Sequence, residues 1–243
     1  NFDGEDIIDI ILEQEACPRF IARHLYNFFV EDEPQVPAWN IEPPNNPEAV
    51  EYLADLLVES NYEIKPVLRE LFNSDFFKES AYKRVRSPIE LIVGTLRLAE
   101  DLIGPDPRVQ EAVYQPGFMG QELMDPPSVE GWHTGKEWIN SGALVQRVNF
   151  VSDTMSDVTL PGVKKIIGRV AEGSTTMSPE VLVERCLESM GPLPVKDKTR
   201  QELIDHAMEH GDIAWDEDSY EDSAEKAAEM LALIASTREY QFG

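Results

Sequence analysis

A recurring start signal for helices is the feature that most constrains this chain. An Asn or Ser side chain, which is suited to capping a helix, is followed directly by proline three times, at Asn46-Pro47, Ser87-Pro88 and Ser178-Pro179. Asn and Ser side chains accept hydrogen bonds from the free N–H groups of a first helical turn, and proline fits the first helical position. Apolar residues then recur three and four positions apart, which is typical of amphipathic helices.

Strand signals are weak by comparison, since no stretch of useful length alternates apolar and polar residues. The sequence therefore predicts an all-α protein with roughly ten helices in an irregular bundle and one long loop rich in Pro, Gly and Trp. A chain of 243 residues can bury one large core or two small ones. We predict a helical domain over residues 1–158, which carries the loop, and a C-terminal helical subdomain over residues 159–243.

The helix predicted after Ser87-Pro88 carries closely spaced leucines and isoleucines, so we expect it to be the most buried helix in the chain. Gly94 lies inside it and costs about 1 kcal/mol relative to alanine. This cost is tolerated most easily where another helix crosses closely, so we interpret Gly94 as a packing notch.

The formal net charge of −25 is concentrated at the two ends of the chain. Such a surface repels phosphate backbones and anionic lipids, which argues against nucleic-acid binding. No apolar run approaches the ~20 residues that cross a bilayer, so we predict no membrane insertion.

The stretch from Gly120 to Asn140, hereafter the Trp loop, combines two tryptophans, a Pro-Pro pair and three glycines, and it runs on to Arg147 and Phe150. Two carboxylates beside indole faces could form a sugar-binding or glycosidase-like cleft. In the alternative, the tryptophans fill the core and Arg147 reaches back to a carboxylate or carbonyl of the loop, and we favour this structural role. The candidate functional residues are Asp125, Glu130, Trp132, His133, Glu137, Trp138 and Arg147.

Basic side chains form two further groups. Lys83, Arg84 and Arg86 precede the helix at Pro88 and are either counter-charges for the acidic ends or a site for an anionic ligand. Arg19 and Arg23 lie on a strongly aromatic predicted helix, where we expect them to pair with neighbouring acids, with a site for an anion as the alternative.

Metal and cofactor signals are weak. His206 to His210 matches the H-x-x-E-H pattern of zinc peptidases, but no third ligand is evident, and we interpret both histidines as solvated residues near a helix C-terminus. The acidic run Asp212 to Asp222 lacks the ligand order of an EF-hand. We therefore assign no metal ligands and no cofactor, and we expect Cys17 and Cys186 to be unpaired, with a single long-range disulfide between them as the alternative. The fingerprints of nucleotide-binding, serine hydrolase and thioredoxin-like proteins are absent.

Four stretches together resemble the bacterial domain-of-unknown-function 1800 family. They are Cys17 to Val30, Arg86 to Gly94, Gly120 to Trp138 with Arg147-Val148-Asn149-Phe150, and Arg238 to Phe242. The most specific element is the Pro-Pro-x-x-x-Gly-Trp motif with its later Trp and Arg-x-Asn-Phe. The resemblance covers nearly the whole chain and corresponds to the C-terminal part of such proteins.

This resemblance implies a mainly helical, exported bacterial protein, located in the periplasm or outside the cell. It also implies a protein partner that resembles the alkaline-phosphatase superfamily, but no established activity or catalytic residues. We therefore expect a helical interaction or scaffold module of a larger protein. The alternative is a hydrolase acting on glycans or on phosphate or sulfate esters.

Overall fold

The computed structural model describes residues 2–102 and 104–243 of the chain. In this part of the chain there are twelve α-helices and one two-stranded sheet, so the predicted all-α class is confirmed. The chain divides into two compact units, one running up to Arg84 and including Gly243, the other Val85–Phe242. The division into domains between residues 158 and 159 stays a prediction.

The first unit is built from five helices. They are α1 (Gly4–Leu12), α2 (Ala16–Phe29), α3 (Pro47–Glu59), α4 (Ile64–Asn73) and α5 (Asp75–Lys78). The helix α3 begins at the proline that the sequence indicated, and the Asn46 side chain accepts a hydrogen bond from the Ala49 N–H at 3.0 Å. The core of the unit lies among α2, α3 and α4 and includes Tyr26, Leu53, Leu57, Val67 and Leu71.

A buried arginine organises the proline-rich connection between α2 and α3. The guanidinium of Arg23 donates to Glu33 Oε2 at 2.9 and 2.7 Å, to the Glu42 carbonyl at 3.0 Å and to the Pro43 carbonyl at 3.1 Å. It also lies 4.6 Å from the ring centroid of Trp39. Since both Arg23 and Glu33 are only 5% exposed, this ion pair is shielded from water. The connection is therefore ordered by a charge network.

Arg19 forms the second predicted ion pair of α2, with Glu51 on α3. Its Nη2 lies 2.7 Å from Glu51 Oε1, and both side chains are about half exposed. The expectation that these two arginines pair with acids is confirmed. The exposed pair contributes little to stability, because solvent screens it.

The second unit contains the remaining helices. They are α6 (Pro88–Leu98), α7 (Val109–Phe118), α8 (Ser141–Ser156), α9 (Pro161–Ala171), α10 (Pro179–Met190), α11 (Asp197–Met208) and α12 (Tyr220–Ser236). Strands β1 (Thr176–Met177) and β2 (Ile213–Ala214) pair antiparallel, with Met177 opposite Ile213. Ser87 and Glu90 form a reciprocal capping box at the start of α6.

The helix with the most buried residues is α12. The expectation that α6, the helix after Ser87-Pro88, is the most buried is therefore wrong. Eight residues of α12 are buried, against four of α6. Small side chains on α12, such as Ala227, Ala228 and Ala235, allow the close packing of its neighbours. The spacing of leucines and isoleucines in α6 correctly predicted an apolar face. Less of that face is buried than we expected.

The packing notch lies at Gly162, and its assignment to Gly94 is wrong. A side chain at Gly94 would meet nothing within 4 Å. At Gly162 a Cβ atom would lie 2.3 Å from the Leu98 carbonyl oxygen, and the Gly162 N–H donates to the Ala99 carbonyl at 2.8 Å. The first turn of α9 therefore contacts the end of α6 backbone to backbone.

Both cysteines are free, as predicted. Cys186 is fully buried, and this burial raises the pKa of its thiol to about 12, so it serves as an apolar core residue. Among the described residues, no helix combines the length and the apolar character that crossing a membrane requires.

Candidate functional site

The Trp loop is fixed at both ends. At its start, the Gln121 side chain accepts a hydrogen bond from the Ile89 N–H of α6 at 2.9 Å. At its end, Asn140 caps α8 by accepting from the Ala143 N–H at 2.9 Å. Between them, Trp138 lies in a short 3-10 helix, Gly135–Ile139, and is only 5% exposed. The loop therefore has a defined shape held by its own buried residues.

The two indoles of the loop have different roles. Trp138 faces the protein interior, whereas Trp132 is only partly buried and donates from Nε1 to the Glu122 carbonyl at 3.1 Å. Gly131 adopts φ +93°, a left-handed conformation that disfavours other residues, and its N–H closes a turn onto the Ser128 carbonyl at 3.1 Å. One indole thus anchors the loop in the interior, and the other joins two sides of the loop by its hydrogen bond to the Glu122 carbonyl.

The predicted loop carboxylates lie in water. Asp125 and Glu130 are exposed, and Glu137 is paired with His133, whose Nδ1 lies 3.0 Å from Glu137 Oε2, with both side chains about half exposed. These side chains therefore lie at the surface of the Trp loop, where a binding partner can reach them.

Arg147 on α8 is fully buried, but its hydrogen bonds go to residues outside the loop, so the expectation that it binds a carboxylate or carbonyl of the loop is wrong. Its Nε donates to Gln241 Oε1 at 2.8 Å and its Nη2 to the Arg86 carbonyl at 2.8 Å. The buried Nη1 has no hydrogen-bond partner. Burial, with some repulsion from Arg86, lowers the pKa of Arg147 to about 10, so the side chain is charged at neutral pH.

The C-terminal segment completes this arrangement, hereafter the Arg147 clasp, which consists of Arg147, Gln241 and Arg86. The Arg86 N–H donates to the Gln241 carbonyl at 3.0 Å, and the Arg86 guanidinium lies 5.0 Å from the ring centroid of Tyr240. The Tyr240 hydroxyl lies 3.0 Å from Thr95 Oγ1 on α6. The clasp joins the beginning of α6, the middle of α8 and the chain end.

The basic group that was considered as an anion site is divided between the two units. Lys83 and Arg84 belong to the first unit, whereas Arg86 belongs to the second and packs on Tyr240. Lys83 is exposed, and Arg84 and Arg86 are partly buried. The assignment of these three residues to an anion site stays a prediction.

A different cluster lies where α11 meets α12. His206 Nε2 is 3.1 Å from Glu229 Oε1, and His210 Nε2 is 3.6 Å from Glu229 Oε2. The two imidazole rings meet edge to face with centroids 5.6 Å apart. These three residues are a group that could hold a metal ion. The third ligand that the sequence did not reveal is therefore available from the neighbouring helix.

Beside this cluster lies a depression of about 590 Å³, which His206 also lines. Its floor includes Glu239, whose Oε1 accepts from Thr199 Oγ1 at 3.1 Å and from the Lys196 N–H at 3.3 Å. The other carboxylate oxygen of Glu239 is buried without a hydrogen-bond partner. Glu239 and Glu229 were both missed by the sequence interpretation, since each is 19 or more residues away from its partners and no local spacing signals such contacts.

The fold and these sites together define an all-α protein with a fixed Trp loop and a C-terminal segment held by a buried arginine. The chain belongs to the family described as "Protein of unknown function (DUF1800)", whose model matches residues 1–242. The resemblance inferred from the four sequence stretches is thereby confirmed. A comparison with curated proteins and one with solved structures each found no match.

Proposed function

We propose that this chain is a helical interaction module of a larger exported bacterial protein and that it binds a protein partner through an apolar ridge. The ridge consists of Val113, Tyr114 and Phe118 on α7 with Met124 and Val129 in the Trp loop. The observation that carries the proposal is the exposure of these side chains: Phe118 is 63% and Met124 93% exposed, and Val129 is fully exposed.

Exposed apolar residues that occur singly need no explanation, but several along one helix and the loop after it do. Large exposed apolar surfaces mark contact sites, and aromatic side chains and methionine are enriched in protein interfaces. Tyr114 and Phe118 are one helical turn apart on α7, and Met124 follows shortly after that helix ends. The ridge offers the kind of apolar anchors that a partner can enclose.

The shape of the loop also suits binding. Pro126 and Pro127 stiffen the segment between Met124 and Val129, and the bond from the Trp132 indole to the Glu122 carbonyl spans its two sides. A surface that is already ordered loses little conformational entropy when it binds. The Trp loop is thus suited to present its apolar tip to a partner.

The partner that we propose is a protein resembling the alkaline-phosphatase superfamily, as the family resemblance implies. With a net charge of −25, this chain would associate fastest with a partner whose contact face is basic. The exported setting rests on the same resemblance and would be tested by locating the native protein in fractionated cells.

The binding experiment uses the purified chain and the candidate partner in a titration followed by light scattering or calorimetry. We expect the double variant Met124→Ala, Val129→Ala, which removes apolar contacts without adding charge, to bind at least about tenfold more weakly, a loss of ~1.4 kcal/mol. A matched control is Val181→Ala on α10, which is also exposed but lies outside the ridge. Equal affinity of the double variant and the parent chain would overturn the proposed surface.

A hydrolase acting on glycans or on phosphate or sulfate esters is the alternative. The pair formed by His133 and Glu137, next to the Trp132 indole, is its support. The chain would be assayed against aryl phosphate, aryl sulfate and aryl glycoside substrates. Turnover that disappears in His133→Ala would favour the hydrolase, whereas turnover that is unchanged in both His133→Ala and Glu130→Gln would exclude these residues from catalysis.

A further inference from the structure

We propose that His206, His210 and Glu229 bind a divalent transition-metal ion of the zinc class. His206 lies in the last turn of α11, and His210 follows four residues later, just beyond that helix. Glu229 lies on α12. This site is separate from the apolar ridge and from the Trp loop, and it does not depend on the interaction proposed for them.

The distances fit one ion. The candidate ligand atoms of the three residues lie within 4.8 Å of one another. A zinc ion holds nitrogen and oxygen ligands at roughly 2.0–2.2 Å, which places neighbouring tetrahedral ligands about 3.4 Å apart. The separations of 3.1 and 3.6 Å between the imidazole nitrogens and the Glu229 oxygens are already close to this value. Small rotations of the side chains would complete the coordination.

The ligand types select the class of metal. Two imidazoles and one carboxylate suit zinc and related divalent transition ions, whereas calcium and magnesium prefer oxygen ligands alone. Three protein ligands leave a coordination position for water or another ligand, as in catalytic zinc sites. Because His206 also lines the depression that contains Glu239, a ligand on the ion could extend into it.

The surroundings favour a cation and allow it to enter. The chain from residue 201 onward is rich in Asp and Glu, and Asp205 and Glu209 flank the two histidines. The side chains of His206, His210 and Glu229 are 32%, 36% and 49% exposed. An ion can therefore reach the three ligands without any opening of the fold.

Without a metal, the same geometry would be a carboxylate that is hydrogen-bonded to His206 and lies 3.6 Å from the imidazole of His210. The two descriptions differ in one respect that can be measured. A metal site must bind an ion in a one-to-one ratio and must bind it more weakly when any one of the three ligands is removed. Hydrogen bonding alone requires no such dependence.

The test is calorimetric titration of the untagged chain with zinc chloride, together with the visible spectrum of added cobalt(II). We expect one ion per chain and the visible absorption spectrum that is typical of four-coordinate cobalt(II). The variants His210→Ala and Glu229→Gln should each bind at least about tenfold more weakly, since losing a residue that only hydrogen-bonds to a metal ligand already costs roughly 10- to 100-fold in known sites. Circular dichroism of each variant would establish that it is folded.

The matched control is His133→Ala, which removes the histidine of another exposed His–Glu pair elsewhere in the chain. Unchanged zinc affinity in this control, with loss in the other two variants, supports the proposal. Zinc binding that survives in both His210→Ala and Glu229→Gln would overturn it and place the ion elsewhere, for instance in the acidic run from Asp212 to Asp222. Failure of the parent chain to bind zinc at one-to-one stoichiometry would overturn it as well.

Discussion

Two arginines are buried in the part of the chain that the structure describes, one in each unit, and they are held in opposite ways. Arg23 is 5% exposed and donates two hydrogen bonds to the carboxylate of Glu33. Arg147 is 0% exposed and donates to the amide oxygen of Gln241 and to a backbone carbonyl. One guanidinium is hydrogen-bonded to a charged partner, while the other has only neutral acceptors.

The difference indicates what each arginine contributes. The ion pair of Arg23 offsets the cost of burying its charge and orders a connection that proline keeps out of regular structure. Arg147 lacks a hydrogen-bonded counter-charge, and burial lowers its pKa to about 10. The contribution of Arg147 comes from where it lies. Its long, forked side chain reaches two segments, at Arg86 and Gln241, that are distant in sequence. We therefore regard the Arg147 clasp as a structural device that joins α6, α8 and the chain end.

The largest effect is expected when the paired charge is broken. Glu33→Ala leaves Arg23 buried without its carboxylate, and we expect a loss of about 3–5 kcal/mol in the free energy of unfolding of the first unit. Urea unfolding followed by circular dichroism would measure it. Glu79→Ala is the control, because Glu79 is exposed at the end of α5, and it should change stability by less than about 0.5 kcal/mol. A similar effect of the two variants would contradict the role of the buried pair.

A smaller effect is expected at the unpaired arginine. Arg147→Met retains much of the side-chain volume, removes a buried charge and leaves the acceptors on Gln241 and Arg86 without a donor. We expect a loss of about 2 kcal/mol, because the two lost hydrogen bonds outweigh the relief of desolvation. The exposed Arg97 on α6 provides the control variant Arg97→Met. An Arg147→Met chain as stable as the parent would show that the clasp contributes nothing to stability.

The smallest effect is a dependence on pH. The pKa of Arg147 is lower in the folded chain than in the unfolded chain, so near pH 10 the unfolded state binds more protons and stability rises with pH. The Arg147→Met variant lacks this contribution. The stability of the parent relative to Arg147→Met should therefore increase between pH 8 and pH 10, by less than about 1 kcal/mol. If the stability of the parent relative to Arg147→Met instead decreases between pH 8 and pH 10, the pKa of Arg147 is not lowered by folding.

Local sequence signals predicted the elements of this fold well. Asn46-Pro47 and Ser87-Pro88 mark the starts of α3 and α6, and in both cases the capping side chain accepts the expected hydrogen bond. Ser178 also precedes a helix, but its hydroxyl donates to Glu180 instead of capping the backbone. Signals that act within one helical turn can be interpreted from sequence because the interacting residues are close together in the chain.

Contacts between distant segments could not be predicted in this way. Arg147 stood out in the sequence, but its partner Gln241 is 94 residues away. Gly94 and Gly162 both lie in helices. Only at Gly162, where α6 and α9 cross, does the packing leave no space for a side chain. In the sequence, nothing distinguishes Glu229 from the many other acids of the chain. In the fold, α12 places it beside His206 and His210. In each case the packing of helices, which the helical spacing does not specify, determines the contact.

The central claim is that Arg147 and Gln241 act together to join α8 to the chain end. A double-mutant cycle with Arg147→Met, Gln241→Leu and the double variant, measured by urea unfolding, tests it most directly. We predict a coupling free energy of about 1–3 kcal/mol, because each single variant removes the same hydrogen bond. If the two single effects add to within about 0.5 kcal/mol, the residues act independently and the clasp does not exist as described.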